Sequence, residues 1–469
     1  VQTLPSDPQP ARSSGLTLAP FHAVRYDPDR VSGLADVTSP PYDVIGPGIV
    51  ERLLAAEPHN IVRVILPGAG SRQPPRGPEA SQLAAGLLRD WLGAGVLRPD
   101  PQPALYVYEQ SLPVPARGDG PPESPDALRA ERGEGWFVVQ RGLIGALRLV
   151  PPGSPSVLPH EDVMPGPVEG RRELMATTQA NLEPIFLLYN EDVADAHRGP
   201  GTATGLVDEV AATRPPLTVA VTADGTRHRL WALTDPAEQA AVAADLADRT
   251  ALIADGHHRY AAYLKLQEQE RAAGRGEGPW DYGLAFLVDA AAYPPRIGAI
   301  HRVIPGLTPA RAAEMAKGSM CVRTLDGDLD RAVAALAEAG RHGPAFLVTG
   351  GDEQYLLTDP APERLAEVMP AGHSARWRGL DASVLRELLI RSVWGLADAE
   401  PDVLVIHGEP ATAVQAARAA GGTAVVGNPV RAADVRAVAE HGERMPRKST
   451  SFGPKPRTGL VLRQWADER

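Results

Sequence analysis

Cysteine is almost missing from this chain. Its 469 residues hold one, Cys321, which excludes an internal disulfide and a cysteine-built zinc site. No apolar run is long enough to span a bilayer, and the N-terminal stretch carries no secretory apolar segment. The compartment expected is therefore cytoplasmic. Positive charge is in deficit: 47 Lys and Arg face 58 Asp and Glu, a formal net charge of −11. A general nucleic-acid binder needs the opposite balance.

Several chemical signatures are missing too. No Gly-x-x-x-x-Gly-Lys-Ser/Thr loop occurs, which excludes a Walker-type NTPase. No Gly-x-Gly-x-x-Gly follows a strand pattern, so a dinucleotide fold has no support. There is no Gly-x-Ser-x-Gly elbow, no His-Glu-x-x-His zinc helix and no internal repeat. What remains is a chain with 43% hydrophobic residues, ordinary for a globular protein and long enough for two or three domains.

The stretch around which the rest is organised is Ala254-Asp255-Gly256-His257-His258-Arg259-Tyr260. Thr250–Ile253 before it is a short apolar run that reads as a buried strand. After it, Tyr260, Tyr263 and Leu264 recur at helical spacing. The motif thus sits on a strand-to-helix turn, where the first helical amides lack intrahelical acceptors and the dipole favours an anion. Gly256 allows close approach of a backbone or a phosphate, and Arg259 adds a fork of donors. An acid among anion-binding parts, Asp255, points to a metal ion or a proton in transit, and hence to phosphoryl chemistry. The plainer alternative is a turn with an N-cap. Adjacent histidines on a helix point about 100° apart, so His257 and His258 do not share one metal.

Elsewhere, Ser39–Ile45 holds two prolines that fix an extended loop and aim Tyr42 and Asp43. His59–Ile65 reads as a strand, with Asn60 and Arg63 at its start. His160-Glu161 offers a metal or proton relay, and Arg171-Arg172 an anion clamp; a helix with surface ion pairs is the alternative for that segment. Asp224-Gly225 between two strand patterns predicts a hairpin. Pro113–Gly135 reads as a long loop. From Pro309 onward, helices alternate with short strands whose direction is not readable. Gly442–Lys455 concentrates four cations and three hydroxyls without periodicity. Such a loop could close over phosphates through Lys448, Ser449, Thr450 and Lys455, or be solvated surface.

The blocks APFHAVRY, SPPYDVI, NIVRV, PHEDV, ANLEPIFLLY, ADGHHRY, HRV, LDASVL and GERMPRKSTSFGPKPRTGLV occur in one order between Leu18 and Trp465. By these the chain resembles a bacterial and archaeal family of unknown function, number ten-fifteen. ADGHHRY is also similar to the nucleotide box of the ParB and sulfiredoxin superfamily, which includes a free-serine kinase with a comparable Asp-Gly-His-His-Arg segment. One departure stands out: Pro167–Arg171 reads Pro-Val-Glu-Gly-Arg where the family pattern leads us to expect a Lys and an Asp near Val168 and Gly170.

The resemblance implies an α+β protein: a ParB/sulfiredoxin-like nucleotide-binding core at 16–305, behind a disordered tail at 1–15, and an α/β C-terminal region at 306–469 carrying the basic loop. It implies Mg²⁺ with ATP or ADP, and a kinase for a small hydroxyl substrate, free L-serine first. Asp43, Asp255 and His257 are the expected catalytic groups, with Asp255 the metal ligand and Asp43 the acid that meets the substrate hydroxyl. Gly256, His257, His258, Arg259, Lys448, Ser449, Thr450 and Lys455 are expected at the nucleotide. Tyr42, Asn60, Arg63, His160, Glu161, Arg171 and Asn181 are expected at the substrate. The alternative is a non-catalytic protein, either gated by CTP or ATP or acting as a scaffold. Expected partners are the nucleotide and the small substrate, with neither nucleic acid nor membrane. A homodimer is compatible with the sequence.

Overall fold

The computed structural model of the chain describes residues 15–71, 73–113, 136–190 and 201–465. Of the expected tail only Gly15 is described, its N–H donating to Ala247 O at 3.0 Å. Residues 1–14, and 114–135 within the expected long loop, lie outside the described residues. The fold is mixed α/β with several sheets, divided into two compact units. The first comprises the described parts of 1–158, 163–294 and 454–469; the second comprises 159–162 and 295–453.

The first unit is built on a nine-stranded mixed sheet. Its order is Val157–Leu158, Ala251–Asp255, Ile185–Tyr189, Tyr282–Asp289, Trp136–Arg148, Leu105–Pro113, Arg227–Leu233 and Thr218–Val221, with Leu18–Ala19 paired to Trp136–Arg148. The predicted hairpin is present, its strands antiparallel around Asp224-Gly225. Ala251–Asp255 is buried at each position and runs parallel to Val157–Leu158 and antiparallel to Ile185–Tyr189. That explains its unbroken apolar run: a strand covered on both faces has no solvent side to alternate toward. The helix that follows, His257–Ala272, buries Tyr260, Ala262, Tyr263 and Leu266 against Ile185, Ile253 and Leu287. Each large apolar side chain so buried contributes about 1.5–3 kcal/mol. The Tyr263 ring lies on Gly283, where an added Cβ would stand 2.3 Å from Cδ2.

A four-stranded antiparallel sheet joins Leu97–Pro99, Ala23–Tyr26, Leu462–Gln464 and Ala180–Asn181. It ties the end of the described chain to the first unit.

His59–Ile65 is not a strand. Residues Val62–Ile65 form one short helical turn. The β-branched residues there suggested extension, but the Asn60 side chain decides otherwise: its Oδ1 accepts from Val62 N at 2.9 Å and starts the turn.

In the second unit a six-stranded sheet runs Cys321–Thr324, Gln354–Thr358, Phe346–Thr349, Thr423–Gly427, Ile300–Ile304 and Leu404–His407, antiparallel at each pairing. Helices alternate with these strands, as the periodicity predicts. The chain reads alternation from local pattern alone, whereas direction is set by which strands become neighbours. Asp381–Ser383 opens a helix that continues as a π-helical run, Val384–Val393.

Candidate functional site

Asp255 ends its strand, and the chain turns at once into the helix beginning at His257. The turn is made by Gly256 at φ +95°, a left-handed conformation that disfavours any side chain. An added Cβ would lie 2.9 Å from Ile185 Cγ2 and 3.1 Å from Arg259 Nε. What approaches Gly256 is thus the Arg259 guanidinium.

Arg259, one helical turn beyond Asp255, folds back over it. Its Nη2 donates to Asp255 Oδ2 and its Nη1 to Pro184 O at 2.6 Å. Its Nε is buried with no hydrogen-bond partner among the described residues. The other Asp255 oxygen, Oδ1, accepts from Lys455 Nζ. The Lys455 ammonium also stands 3.9 Å from Asp43 Oδ2. A cation is therefore bracketed by two carboxylates whose positions in sequence are far apart.

Burial opposes the charge on each of these groups, and the neighbours win. Burial lifts the Asp255 carboxyl, yet Lys455 and Arg259 hold it below the ordinary aspartate range. Burial depresses Lys455, yet Asp255 and Asp43 push it up. The same holds for Arg259 beside Asp255, Glu183 and Asp43. This is a fully charged, mutually neutralising cluster, with side-chain exposures of 2% at Arg259, 10% at Asp255 and 22% at Lys455.

A second layer backs it. Glu183, buried, accepts from Tyr42 N at 2.9 Å and from Thr458 Oγ1 at 3.4 Å. Burial raises its carboxyl, against the pull of Arg259 and Arg171. Arg171 lies over the Tyr42 ring, 4.2 Å from its centroid, and donates to Ile65 O at 2.9 Å. Burial pushes the Tyr42 hydroxyl up to about 12. Asp43, next to it on the 3₁₀ turn Tyr42–Val44, keeps 36% of its side chain exposed.

The structure thus brings together Tyr42, Asp43, Arg171, Asp255, Gly256, Arg259 and Lys455. It spends others elsewhere. Asn60 is fully buried and stitches the loop before it, donating to Asp36 O and Thr38 O at 2.6 and 3.1 Å. Arg63 donates to Leu54 O. Asn181 accepts from Leu284 N and Arg463 Nη1, both at 3.2 Å. His258 Nε2 accepts from Met164 N at 3.0 Å, and His257 is buried.

Lys448, Ser449, Thr450, His160 and Glu161 belong to the second unit. There Thr450 Oγ1 links His160 Nε2, at 2.9 Å, to Glu161 Oε1, at 3.0 Å. The basic stretch is therefore divided: Lys448–Thr450 lie in one unit and Lys455 in the other.

Residues 18–119 and 127–383 match the family described as "Protein of unknown function (DUF1015)". The chain belongs to this family. No curated protein matches it by sequence. Among solved structures, free serine kinase in complex with AMP is 16% identical, with 64% of this chain and 84% of that one covered at a TM-score of 0.32. SbnI with C-terminal truncation, from Staphylococcus aureus, is 13% identical, with 68% and 87% covered at 0.33. A conserved hypothetical protein from Pyrococcus furiosus is 14% identical, with 65% and 90% covered at 0.32.

Within the DUF1015 match, the two departing positions have different surroundings. Val168 is buried in the core beneath the motif helix, 2% exposed. Gly170 would offer an added Cβ open space. A lysine at Val168 would have to leave that core, whereas an aspartate at Gly170 meets no obstacle.

Sequence reasoning missed Glu183 and Thr458 as parts of the cluster. The signal was available: an acid one residue before the proline that opens a wholly buried strand. A carboxylate there cannot reach bulk water and must find a partner.

The metal reading can be tested on the donor set. Both Asp255 oxygens are engaged by cations, and among the described residues no three His, Cys, Asp or Glu converge. This arrangement does not fit a resident Mg²⁺. Among the described residues no helix is long and apolar enough to cross a membrane.

Proposed function

We propose that the first unit binds an adenine nucleotide at the Asp255–Arg259 turn and transfers its terminal phosphoryl group to the hydroxyl of a small metabolite. The observation that carries this reading is the Lys455 ammonium between Asp255 and Asp43, with Nζ 3.9 Å from the partly exposed Asp43 carboxylate. Phosphoryl transfer needs positioning and charge neutralisation rather than covalent catalysis. Lys455 supplies a cation next to a helix N-terminus, and Asp43 supplies an open carboxylate next to that cation. Asp255 and Arg259 hold the turn in shape from beneath.

In the reaction the acceptor oxygen attacks the terminal phosphorus, the bridging P–O bond of the nucleotide breaks, and the acceptor proton passes to Asp43. ATP would give ADP and a phosphate monoester; ADP would give AMP. The Asp-Gly-His-His-Arg box, which resembles that of a free-serine kinase, makes free L-serine the first acceptor and O-phosphoserine the first product. Mg²⁺ enters this reading as a companion of the nucleotide and not as a ligand of the resting Asp255. The family architecture around this turn is read as a ParB/sulfiredoxin-like core.

The deciding experiment is calorimetric titration of the full chain with ATP, ADP and AMP, with and without Mg²⁺. It is followed by phosphorus NMR of the productive nucleotide mixed with L-serine. Asp43→Asn should leave nucleotide affinity unchanged and lower turnover by roughly 10²–10⁴, as for a lost general base. Equal turnover in Asp43→Asn and parent removes the role of Asp43. Nucleotide binding without product from any small alcohol or amino acid replaces catalysis with a nucleotide-gated binding protein. The complete pairing of Asp255 favours that second reading, since displacement of Lys455 by a nucleotide would itself be a conformational signal. No nucleotide binding at all removes both.

A further inference from the structure

The second unit contains a cavity of about 410 Å³ that the phosphoryl-transfer reading does not use. This size lies within the range of small-molecule sites. Five lysine or arginine side chains line it, Arg302, Arg376 and Lys448 among them, against two carboxylates, Asp381 and Asp434. In a chain of net charge −11 that local excess of cations is out of keeping with the whole and sets the sign of what would be attracted.

Arg302 is the decisive residue. It lies on the strand Ile300–Ile304, one in from the edge of the six-stranded sheet, and is 6% exposed. Its Nη2 is fixed by the carbonyls of Lys448 and Arg447, at 3.0 and 3.3 Å. Its Nε is buried without a hydrogen-bond partner among the described residues, and the Asp398 carboxylate stands off at 3.8 Å. A buried guanidinium N–H without an acceptor is costly, on the order of 1–3 kcal/mol. Burial outweighs Asp398 and holds the Arg302 pKa below its ordinary value, so its charge is only partly compensated.

Two backbone features converge on the same cavity. Lys448 sits at φ +55°, in a region a lysine rarely adopts. Leu380, Asp381, Ala382 and Leu385 line the cavity where the helix passes into its π-helical run, Val384–Val393. Such runs are rare and recur at functional sites.

We propose that this cavity is a binding site for a small organic oxyanion, a carboxylate or a phosphate monoester, with Arg302, Lys448 and Arg376 as its cationic donors. The wall is completed by Ile300 and Phe346, which give an apolar surface to the ligand's carbon skeleton.

The test is calorimetric titration of the full chain at constant ionic strength with inorganic phosphate and, separately, with acetate. Saturable millimolar binding of either is expected. Binding of one probe and not the other identifies the ligand's charged group. Lys448→Gln and Arg376→Gln remove exposed cations and should each weaken binding about tenfold, the loss of one charge-assisted contact. Arg302→Gln should abolish binding, and Arg302→Lys should restore part of it. Lys455→Gln, in the other unit, should bind the probe as the parent does. The proposal is overturned if neither probe saturates. It is also overturned if Lys448→Gln and Arg376→Gln bind as tightly as the parent, or if Lys455→Gln alone loses binding. That last outcome would place the anion at the Asp255 cluster and leave the phosphoryl-transfer reading standing.

Discussion

The two units use charge in opposite ways. At the Asp255 turn each charged group is answered: one carboxylate oxygen by Arg259, the other by Lys455, and Lys455 again by Asp43. In the cavity of the second unit the lining carries five cations against two carboxylates, and Arg376 and Lys448 have no carboxylate partner among the ion pairs of the described residues. A closed ion cluster reads as architecture until something displaces one of its members. An open excess of one sign reads as a site. The difference teaches that charged motifs picked from sequence need their counterions found before a ligand is assigned to them.

The sharpest way to break this comparison is the same substitution in both places. Asp255→Asn removes the anion that Arg259 and Lys455 share. Taking this carboxylate from the buried Arg259 should destabilise the first unit by about 3–5 kcal/mol, as for a buried pair that loses one partner. Its pH dependence follows from the lowered carboxyl. A group held below its ordinary value contributes stability that is present above that value and lost as the pH falls. The parent should therefore lose stability in acid below the ordinary 3.8 of aspartate, and the variant should lose less. Urea midpoints for the first unit at pH 7 and pH 3 measure both. A midpoint unchanged at pH 7 would mean that the cluster is not charged as described.

A smaller effect is expected one residue on. Gly256→Ala places a Cβ at φ +95°, 2.9 Å from Ile185 Cγ2. Strain of this kind costs roughly 1–3 kcal/mol. Because Arg259 Nε lies 3.1 Å from the same position, the guanidinium must also shift. Nucleotide affinity should fall along with thermal stability. Loss of stability with full affinity would separate the turn from the binding surface.

These residues show what was legible in the sequence. The strand, turn and helix around Asp255 follow from local pattern, because a short apolar run, a glycine and a helical repeat are each short-range signals. Lys455 was a candidate from the chemistry of its loop, and Asp43 from the family resemblance. That Asp43 and Asp255 meet on the Lys455 ammonium depends on the antiparallel return of Leu462–Gln464 beside Ala23–Tyr26 and Ala180–Asn181, which no local pattern encodes. Asn60 shows the converse: a polar residue in a conspicuous block whose hydrogen-bonding capacity is spent on the backbone around it. Arg302 was visible only as part of a short block. Its burial beside an unsatisfied N–H is a tertiary fact.

Asp381 is where the second unit should answer with the opposite sign. Burial, reinforced by Asp434 and opposed by the Ala345 amide and Arg431, holds its carboxyl up at about 6. A raised pKa contributes stability that is full below the unfolded value of 3.8 and gone once the pH has risen through about 6. At pH 7 the ionised, half-buried group is therefore a burden. Asp381→Asn keeps an acceptor for the Ala345 amide and removes the charge. It should stabilise the second unit by on the order of 1–2 kcal/mol at pH 7 and by nothing near pH 4. It should also tighten anion binding in the cavity at pH 7. Destabilisation at pH 7 would show that Arg431 compensates Asp381 fully, and the contrast between the two units would lose one of its supports.

The smallest effect on stability carries the most specific information. Lys448 is exposed, its backbone carbonyl is already used by Arg302, and it lines the cavity without a carboxylate partner among the ion pairs of the described residues. Lys448→Gln should change stability by no more than about 0.5 kcal/mol, as for surface positions outside any network. Its effect should appear in the slope of phosphate affinity against salt, since an exposed cation acts over a distance that salt screens. The parent should lose affinity steeply between low and physiological salt, and the variant less steeply. Lys455→Gln is the matched control, for it removes a lysine from the closed cluster. It should lower the stability of the first unit while leaving the salt dependence in the second unit as it is in the parent. If both lysine variants shift the same salt slope by the same amount, the two regions do not differ in how their charges are used, and the distinction between paired architecture and open site falls.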